Sequence, residues 1–363
     1  MGGVMRLGFG LYRHMLNEDY YRFAKQCGAT DIIVHLCDYG EKNDIDAKKV
    51  NQPVGDKDGW GVADHPDLWS LDELIKIRNE LEAHDLSFHG VENFDPSQWH
   101  DILLDGPKRD EQLRQAQKQI EIFAAAGIKV FGYNFSIGGV AGRESLTTRG
   151  GAIAVGLDGI SEGIEKPLPK GMVWNMVYDP DADGMLETIT SNQLWHRLEV
   201  FLNAVIPTAE KYGLILAAHP DDPPLPMVRQ QPRLVYRHHL YQKLIDLVPS
   251  TSNQLELCVG TLSEMQDEDL YHSIEKYAVQ NKVAYIHLRN VVGKVPHYTE
   301  TFIDDGDVDV GRVLRVLNHA GFEGVIIPDH APQMTCQAPW HSGMAFAMGY
   351  LRSKIESVTG VKV

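Results

Sequence analysis

Short apolar, β-rich runs alternate with longer amphipathic stretches along most of the chain, and this alternation constrains the fold more than any other feature. The pattern is typical of repeated strand–helix units around a parallel sheet. Eight such runs match the eight strands of a closed α/β barrel, so we predict a (β/α)8 TIM barrel. The predicted strands are Arg6–Leu11, Asp31–Leu36, Leu86–Val91, Lys129–Asn134, Leu214–Ala218, Gln254–Cys258, Val283–Leu288 and Gly324–Pro328.

Amphipathic stretches between these runs predict helices, because their apolar residues recur three and four positions apart. The stretches are Leu71–His84, Arg109–Ala126, Asn192–Tyr212, Ser263–Gln280 and Val308–Ala320. A glycine stands between a helical stretch and the next strand at Gly28, Gly127, Gly213 and Gly321. A left-handed helix C-cap favours glycine at such a position, so this punctuation supports the barrel interpretation.

The length of 363 residues lies within the range of one barrel with insertions. We therefore predict a single domain over residues 1–363. Two segments, about 38–66 and 136–183, interrupt the alternation and are rich in glycine with charged residues or proline. Both follow a predicted strand, and loops after barrel strands lie on the catalytic face. These insertions are expected to cover a pocket.

Composition and net charge limit the binding partners and the cellular compartment that we expect for this chain. The formal charge is −16, without any run of basic residues, so a nucleic-acid partner is not expected. The four cysteines, Cys27, Cys37, Cys258 and Cys336, are too scattered for a disulfide framework and favour a reducing cytoplasm. Neither a signal peptide nor a long apolar run is present, so we expect a soluble protein without a membrane partner.

Four consecutive predicted strands end in side chains that can bind a metal ion. His219 follows the fifth strand in LILAAHPDDPPLP, Cys258 ends the sixth, His287 the seventh, and Asp329 follows the eighth. Taken singly, each has an ordinary structural role as a strand-end hydrogen-bonding group, a small buried thiol or a turn cap. Because the carboxyl ends of barrel strands meet at one rim, their coincidence predicts a metal centre.

The mixture of nitrogen, sulfur and oxygen ligands indicates which ions would bind. It suits Mn²⁺, Fe²⁺, Co²⁺, Ni²⁺ or Zn²⁺ better than Mg²⁺, which prefers oxygen. A hydroxy acid could chelate such an ion through its carboxylate and an adjacent hydroxyl. The ion would then stabilise the enediolate that forms when a proton leaves. This chemistry fits a lyase or an isomerase.

Several motifs resemble those of the D-mannonate dehydratases, within the xylose-isomerase-like barrel superfamily, and the resemblance spans most of the chain. HPDDPP followed by the Cys, HLR and PDH strand ends is the most specific part. The motifs are QCGAT at Gln26–Thr30, VEN at Val91–Asn93, AGIKVFGYNF at Ala126–Phe135, HPDDPP at His219–Pro224, LCVG at Leu257–Gly260, HLRN at His287–Asn290, GDVDV at Gly306–Val310 and PDH at Pro328–His330.

This resemblance implies an activity and a cofactor. His219, Cys258, His287 and Asp329 match the family's metal ligands, with Mn²⁺ or Fe²⁺ as the usual ion, and His330 matches its catalytic histidine. The implied reaction removes water from a sugar acid, converting D-mannonate to 2-keto-3-deoxy-D-gluconate. The family acts in cytoplasmic hexuronate breakdown and forms homodimers or larger homo-oligomers.

Other candidate site residues follow from their positions. Arg289 could bind the substrate carboxylate in a forked geometry or form a structural salt bridge. Asn134, Glu92 and Asp221 lie at strand ends and are candidates for substrate contact.

The chain also departs from the family. Members of the D-mannonate dehydratase family carry a tyrosine after PDH that acts with the histidine of this motif. This chain reads QMTCQAPWHSGMAF there instead. Trp340 or His341 stands near that place, and we predict that they contact the substrate. FIDD at Phe302–Asp305 replaces a histidine-containing stretch of the family.

Two other functions remain compatible with the sequence. One is a sugar or sugar-acid isomerase or epimerase on the same metal-binding barrel. The other is a non-catalytic sugar-acid-binding protein that lost its acid–base pair. Product analysis separates them, because a dehydratase releases water, an epimerase conserves mass, and a binding protein yields no product.

Overall fold

Eight parallel strands close into a barrel in the computed structural model, which describes residues 5–39, 60–63, 65–266 and 268–363. The predicted fold class and all eight predicted strands are confirmed. Each strand pairs with its neighbour in the chain, and the last pairs with the first. The strands are β1 (Arg6–Tyr12), β2 (Asp31–His35), β3 (Ser87–Glu92), β4 (Val130–Tyr133), β5 (Ile215–Ala218), β6 (Asn253–Cys258), β7 (Val283–His287) and β8 (Val325–Ile327).

Helices follow the strands around the barrel. In the described ranges they are α1 (Glu18–Gln26), α2 (Leu71–Glu82), α3 (Pro96–Leu104), α4 (Arg109–Ala125), α5 (Glu162–Glu165), α6 (Ser191–Tyr212), α7 (Leu240–Leu247), α8 (Val259–Glu264), α9 (Leu270–Val279), α10 (Val310–His319) and α11 (Pro339–Thr359). None of these helices combines the length and the apolar character that crossing a membrane requires. The four glycines predicted as C-caps all have positive φ, as expected.

The predicted extent of one helix was wrong. Ser263–Gln280 was expected to be continuous, but α8 ends at Glu264 and α9 begins at Leu270. The carboxylate of Asp269 accepts hydrogen bonds from the backbone N–H groups of Tyr271 and His272. This N-cap starts a new helix, because a side-chain acceptor satisfies the N–H groups left open in a first turn.

Alternation along the strands separates two layers of the core. On β1, Leu7 and Phe9 pack outwards in the large core cluster that the helices share. Gly8, which lies between them, points into the barrel. Alternate residues of other strands, among them Ile33, Tyr285 and Val325, form a smaller cluster there. Gly8 faces this interior, and a Cβ there would lie 2.4 Å from the Val325 side chain.

A four-stranded antiparallel sheet was not predicted. Its strands are Asn290–Lys294, His297–Thr301, Ile153–Asp158 and Glu144–Thr147, in that spatial order. Two of them come from the predicted insertion 136–183 and two from the connection between β7 and α10. Each strand is only four to six residues long, and the pairing joins distant parts of the chain, so no local pattern indicates it. Most of the other predicted insertion, 38–66, lies outside the described residues.

Gly132 on β4 lies where the barrel interior is crowded. A Cβ at this position would lie 2.3 Å from the Tyr285 hydroxyl and 2.7 Å from Oε2 of Glu256. We expect Gly132→Ala to lower the free energy of unfolding by about 1–3 kcal/mol, because overpacking forces buried neighbours to move. Urea denaturation measures this change.

Gly349→Ala is the matched control for that substitution. Gly349 is an exposed residue in α11, and no atom lies within 4 Å of a Cβ built there. Alanine is expected to stabilise the helix by about 0.5–1 kcal/mol relative to glycine. Equal effects of the two substitutions would contradict the close packing assigned to the barrel interior.

Candidate active site

A pocket opens at the carboxyl ends of the barrel strands, where most of the predicted ligands lie. Its wall combines imidazoles and carboxylates with four large aromatic rings. The lining residues are Tyr12, His35, Tyr39, Trp60, Glu92, Asn93, Asn134, Val140, Trp174, His219, Asp222, His287 and Asp329. Trp174 and Val140 come from the insertion 136–183, so this segment contributes to the pocket wall.

The four predicted metal ligands are brought together. His219, Cys258 and His287 each offer one ligand atom, and these three atoms lie within 4.8 Å of one another. Asp329 is adjacent, with Oδ2 3.9 Å from Sγ of Cys258 and Oδ1 3.6 Å from Nδ1 of His287. The arrangement offers two imidazole nitrogens, one sulfur and one carboxylate to a common point.

The surroundings of each imidazole leave one ring nitrogen for an ion. Nδ1 of His219 lies 2.6 Å from the carbonyl oxygen of Pro220, which leaves Nε2 on the other side of the ring. In His287, Nε2 lies 3.2 Å from Glu92 and 3.1 Å from Glu256. Its buried Nδ1 has no hydrogen-bond partner among the described residues. An unsatisfied buried nitrogen beside a thiol and a carboxylate fits metal coordination.

The surroundings of Cys258 favour its thiolate form. Burial alone would raise the pKa of this fully buried thiol, but Arg289 and the imidazoles of His219 and His287 lower it to about 5. The hydroxyl of Thr261 donates to Sγ at 3.1 Å. Thiolate is the form that binds metal ions, so the donor set is ready for a borderline divalent cation at neutral pH.

Below these ligands lies a second group of donors, formed by Glu92, Glu256 and His287. Burial and the charge of Glu92 raise the pKa of Glu256 to about 8. Burial also acts on Glu92, but His35 and His287 lower its pKa to about 2. The hydroxyl of Tyr285 donates to Oε2 of Glu92 at 3.1 Å. Glu92, predicted as a substrate contact, therefore reaches both the pocket and this deeper cluster.

Arg289 is an ion-pair centre rather than a free substrate-binding group. Its side chain is 1% exposed, and its guanidinium lies 3.0 Å from Asp329, 2.8 Å from Asp222 and 2.5 Å from Glu264. It also donates to Thr261 at 3.1 Å. Because these groups occupy the guanidinium, the structure shows the salt bridge and not the predicted fork towards the substrate.

His330 lies beside the predicted ligands but is buried, with its side chain 3% exposed. Its Nε2 is 3.1 Å from Oδ1 of Asp329, and its Nδ1 contacts the carboxylate of Glu300. Glu300 belongs to the unpredicted antiparallel sheet. Sequence reasoning missed this partner because Glu300 is not on a barrel strand.

Of the strand-end candidates, Asn134 lines the pocket and Asp221 does not. The side chain of Asn134 donates to the carbonyl of Pro220 at 3.0 Å and accepts from the Trp174 indole at 3.0 Å. Oδ2 of Asp221 accepts two backbone N–H groups, from Leu234 and Val235, at 2.8 Å each. Asp221 thus fixes a turn, and its neighbour Asp222 reaches the pocket instead.

Trp340 and His341 lie away from the pocket. Both are in the first turn of α11, where Trp340 packs against Phe9 and Tyr20, and His341 stacks on Tyr20 and meets Phe23 edge to face. Phe9 points out of the barrel into the core shared with the helices. The predicted substrate contacts are therefore corrected to packing contacts behind β1.

Two pocket residues missed by the sequence reasoning end the first two strands. Tyr12 ends β1 and His35 ends β2, and their rings stack with centroids 4.5 Å apart. The same strand-end argument that identified the metal ligands would have found them. Glu256 would also have been found, because it precedes Cys258 by two residues and shares its inward face.

The fold and the site together define a (β/α)8 TIM barrel with a cluster of possible metal ligands at the carboxyl ends of its strands. L-Ribulose 3-epimerase, a solved structure, is similar with a TM-score of 0.58 and 13% identity, covering 98% of this chain and 96% of that chain. The profile of the D-mannonate dehydratase (UxuA) family matches residues 32–361. The chain belongs to this family, and it is a sugar-acid dehydratase, a hydro-lyase.

Individual relatives agree with this assignment. Mannonate dehydratase 1 of Bacillus licheniformis is 29% identical over 316 residues, which is 80% of this chain and 85% of that protein. Mannonate dehydratase of Streptococcus pneumoniae is 26% identical, covering 80% of this chain and 83% of that protein. The crystal structure of mannonate dehydratase from Streptococcus suis serotype 2 has a TM-score of 0.75 at 21% identity, covering 100% of this chain and 96% of that chain. That structural likeness shows the shared fold.

Proposed function

We propose that this enzyme removes water from D-mannonate to give 2-keto-3-deoxy-D-gluconate, using a divalent metal ion held by His219, Cys258, His287 and Asp329. The convergence of these four side chains at the pocket is the observation that carries the proposal. The relatives named mannonate dehydratase support the choice of substrate.

Mn²⁺ or Fe²⁺ is the proposed ion, although the donor set also suits other divalent transition metals. A bound ion supplies Lewis-acid charge, which acidifies the C–H bond next to the substrate carboxylate. The wall of aromatic rings supports a polyhydroxy acid as ligand, because Trp60, Trp174 and Tyr39 can pack against its C–H groups while Asn134 and Asp222 present polar atoms.

Two protein groups are proposed to move protons during the elimination. The Nδ1 of His330 contacts Glu300 and its Nε2 lies beside Asp329, and His330 is our candidate for one of the proton-transfer roles. Tyr12 is our candidate for protonating the departing C3 hydroxyl. Burial and the carboxylates of Asp329 and Glu92 hold the pKa of Tyr12 well above its usual value. Its phenol therefore keeps its proton at neutral pH, and the assignment rests on its place in the pocket wall at the end of β1.

We further propose that the chain forms one barrel domain and works in the cytoplasm as a homodimer or a larger homo-oligomer. The four cysteines are free thiols, which supports a reducing compartment. The family resemblance supports the oligomer.

Incubation of the Mn²⁺-loaded enzyme with C5 and C6 aldonates, including D-mannonate, tests the reaction. We expect mass spectrometry to show loss of one water from D-mannonate, with a 2-keto-3-deoxy acid detected by its periodate–thiobarbiturate colour. A product of unchanged mass would point to an epimerase instead. Thermal stabilisation by an aldonate without any product would point to a binding protein.

Substitution of the two proposed proton-transfer residues should slow catalysis without removing the ion. We expect His330→Ala and Tyr12→Phe each to lower kcat by about 10²–10⁴-fold, the usual contribution of one positioned acid or base. His196→Ala is the control, because the His196 side chain is 73% exposed on α6. Steady-state kinetics at saturating Mn²⁺ measures the effect, and unchanged kcat in both variants would remove these assignments.

A further inference from the structure

Beneath the proposed metal ligands lies a cluster that contains two carboxylates with no role in the proposed function. Glu92, Glu256 and His287 place one ligand atom each within 4.8 Å of one another, and His287 also belongs to the upper ligand group. Both groups hold their donor atoms close enough to share an ion. The lower group can therefore either compete for the cation or support its binding at the upper group.

The depth of Glu256 argues against a reactive ion at the lower group. Glu256 precedes Cys258 by two residues on β6, so its side chain points inwards about 7 Å deeper along the strand. It is 0% exposed, and a Cβ on Gly132 would lie 2.7 Å from its Oε2. An ion centred on Glu256 would lie one layer below the strand ends, whereas a catalytic ion needs a coordination position open to the substrate.

The orientation of His287 shows how the lower group can serve the upper one. Its Nε2 faces the carboxylates of Glu92 and Glu256, while its Nδ1 faces Asp329 without a hydrogen bond. An imidazole that binds a metal through one nitrogen commonly donates its other N–H to a carboxylate, which fixes the ring and its tautomer. Tyr285, two residues before His287 on β7, steadies Glu92 from below through its hydroxyl.

We propose that Glu92 is a positioning residue that holds His287 with Nδ1 turned towards Cys258 and Asp329, and that it thereby sets the affinity of the centre for its cation. This inference rests on the proposed function, because it assumes that the cation binds at the upper group. Oε2 of Glu92 accepts the N–H of His287 at 3.2 Å, and an amide in its place removes the negative charge that favours this orientation and this tautomer.

Cobalt binding to the apo protein tests the proposal without an activity assay. We expect Glu92→Gln to bind Co²⁺ about 10–100-fold more weakly than the wild type in competition with a chelator, as is usual when such a partner is removed. At saturating cobalt, the thiolate-to-cobalt absorption band should persist, since Cys258 remains a ligand. Glu268→Gln is the matched control, because Glu268 contacts His239 at 2.7 Å far from the centre. Its cobalt affinity should equal that of the wild type.

The other outcomes separate this inference from the proposed function. Wild-type affinity in a folded Glu92→Gln variant would overturn the positioning role but leave the upper centre intact. Loss of cobalt in Glu92→Gln with full retention in Cys258→Ser would place the ion at the lower group and would also overturn the positioning role. Absence of cobalt binding by the wild type would remove the proposed centre and this inference with it. If Glu92→Gln does not fold, Glu92→Asp, whose shorter side chain withdraws the carboxylate from His287, undergoes the same measurement with the same expectation.

Discussion

Cys258→Ser is expected to release the bound metal ion and to lower kcat by about 10³-fold or more. The thiolate is the one sulfur ligand of the proposed centre, and its low pKa shows that the surroundings stabilise its negative charge. A serine hydroxyl remains protonated near neutral pH and replaces it poorly. Loss of the Lewis acid removes several kcal/mol of transition-state stabilisation, and every 1.36 kcal/mol or so is tenfold in rate.

Metal analysis after gel filtration, together with turnover of D-mannonate, measures both effects of Cys258→Ser. Cys336→Ser is the control, because Cys336 is an exposed thiol outside the pocket. It should keep the metal content and the rate of the wild type. A Cys258→Ser variant with one tightly bound ion and near wild-type activity would contradict the ligand assignment.

Arg289→Met is expected to lower the free energy of unfolding by about 3–5 kcal/mol, the usual cost of removing one partner from a buried ion pair. The guanidinium lies among four carboxylates, those of Asp222, Glu264, Glu300 and Asp329. Glu264 is 0% exposed, and burial raises its pKa well above the usual value even with Arg289 present. Without the arginine, these carboxylates must take up protons or stay charged without a partner.

Denaturant unfolding of the apo protein near neutral pH measures the effect of Arg289→Met. The control is Arg22→Met, which breaks an i,i+4 ion pair with Glu18 on the surface of α1. Exposed pairs of this kind contribute about 0.3–0.5 kcal/mol. If the two variants lost similar stability, Arg289 would not be the centre of a buried network, and its role as a substrate-binding group would return.

Much of the fold and of the proposed metal centre follows from local patterns in the sequence. The last inward-facing residue of each barrel strand lies at the same rim of the barrel. The sequence alone therefore predicts that His219, Cys258, His287 and Asp329 lie close together. Tyr12 and His35 also end strands, β1 and β2, but they were not among the predicted site residues. Glu256 was not predicted because it lies in the inward layer below the strand ends, where barrel side chains usually form the core.

Other features depend on contacts that no local pattern encodes. Glu300 reaches His330 only because its strand joins a sheet with residues from the segment 136–183. Arg289 was ambiguous because the carboxylates that occupy it come from separate connections of the barrel. Trp340 follows PDH closely in sequence, yet α11 turns its ring to Phe9 behind β1. In each case the tertiary partner decides the role of the side chain.

Anomalous diffraction from Mn²⁺-loaded crystals shows whether one cation binds among the four neighbouring strand ends. We expect a single strong anomalous peak at the pocket, within bonding distance of the side chains of His219, Cys258, His287 and Asp329. A peak between Glu92 and Glu256 with none beside Cys258, or a fully loaded crystal without any peak in the pocket, would contradict it.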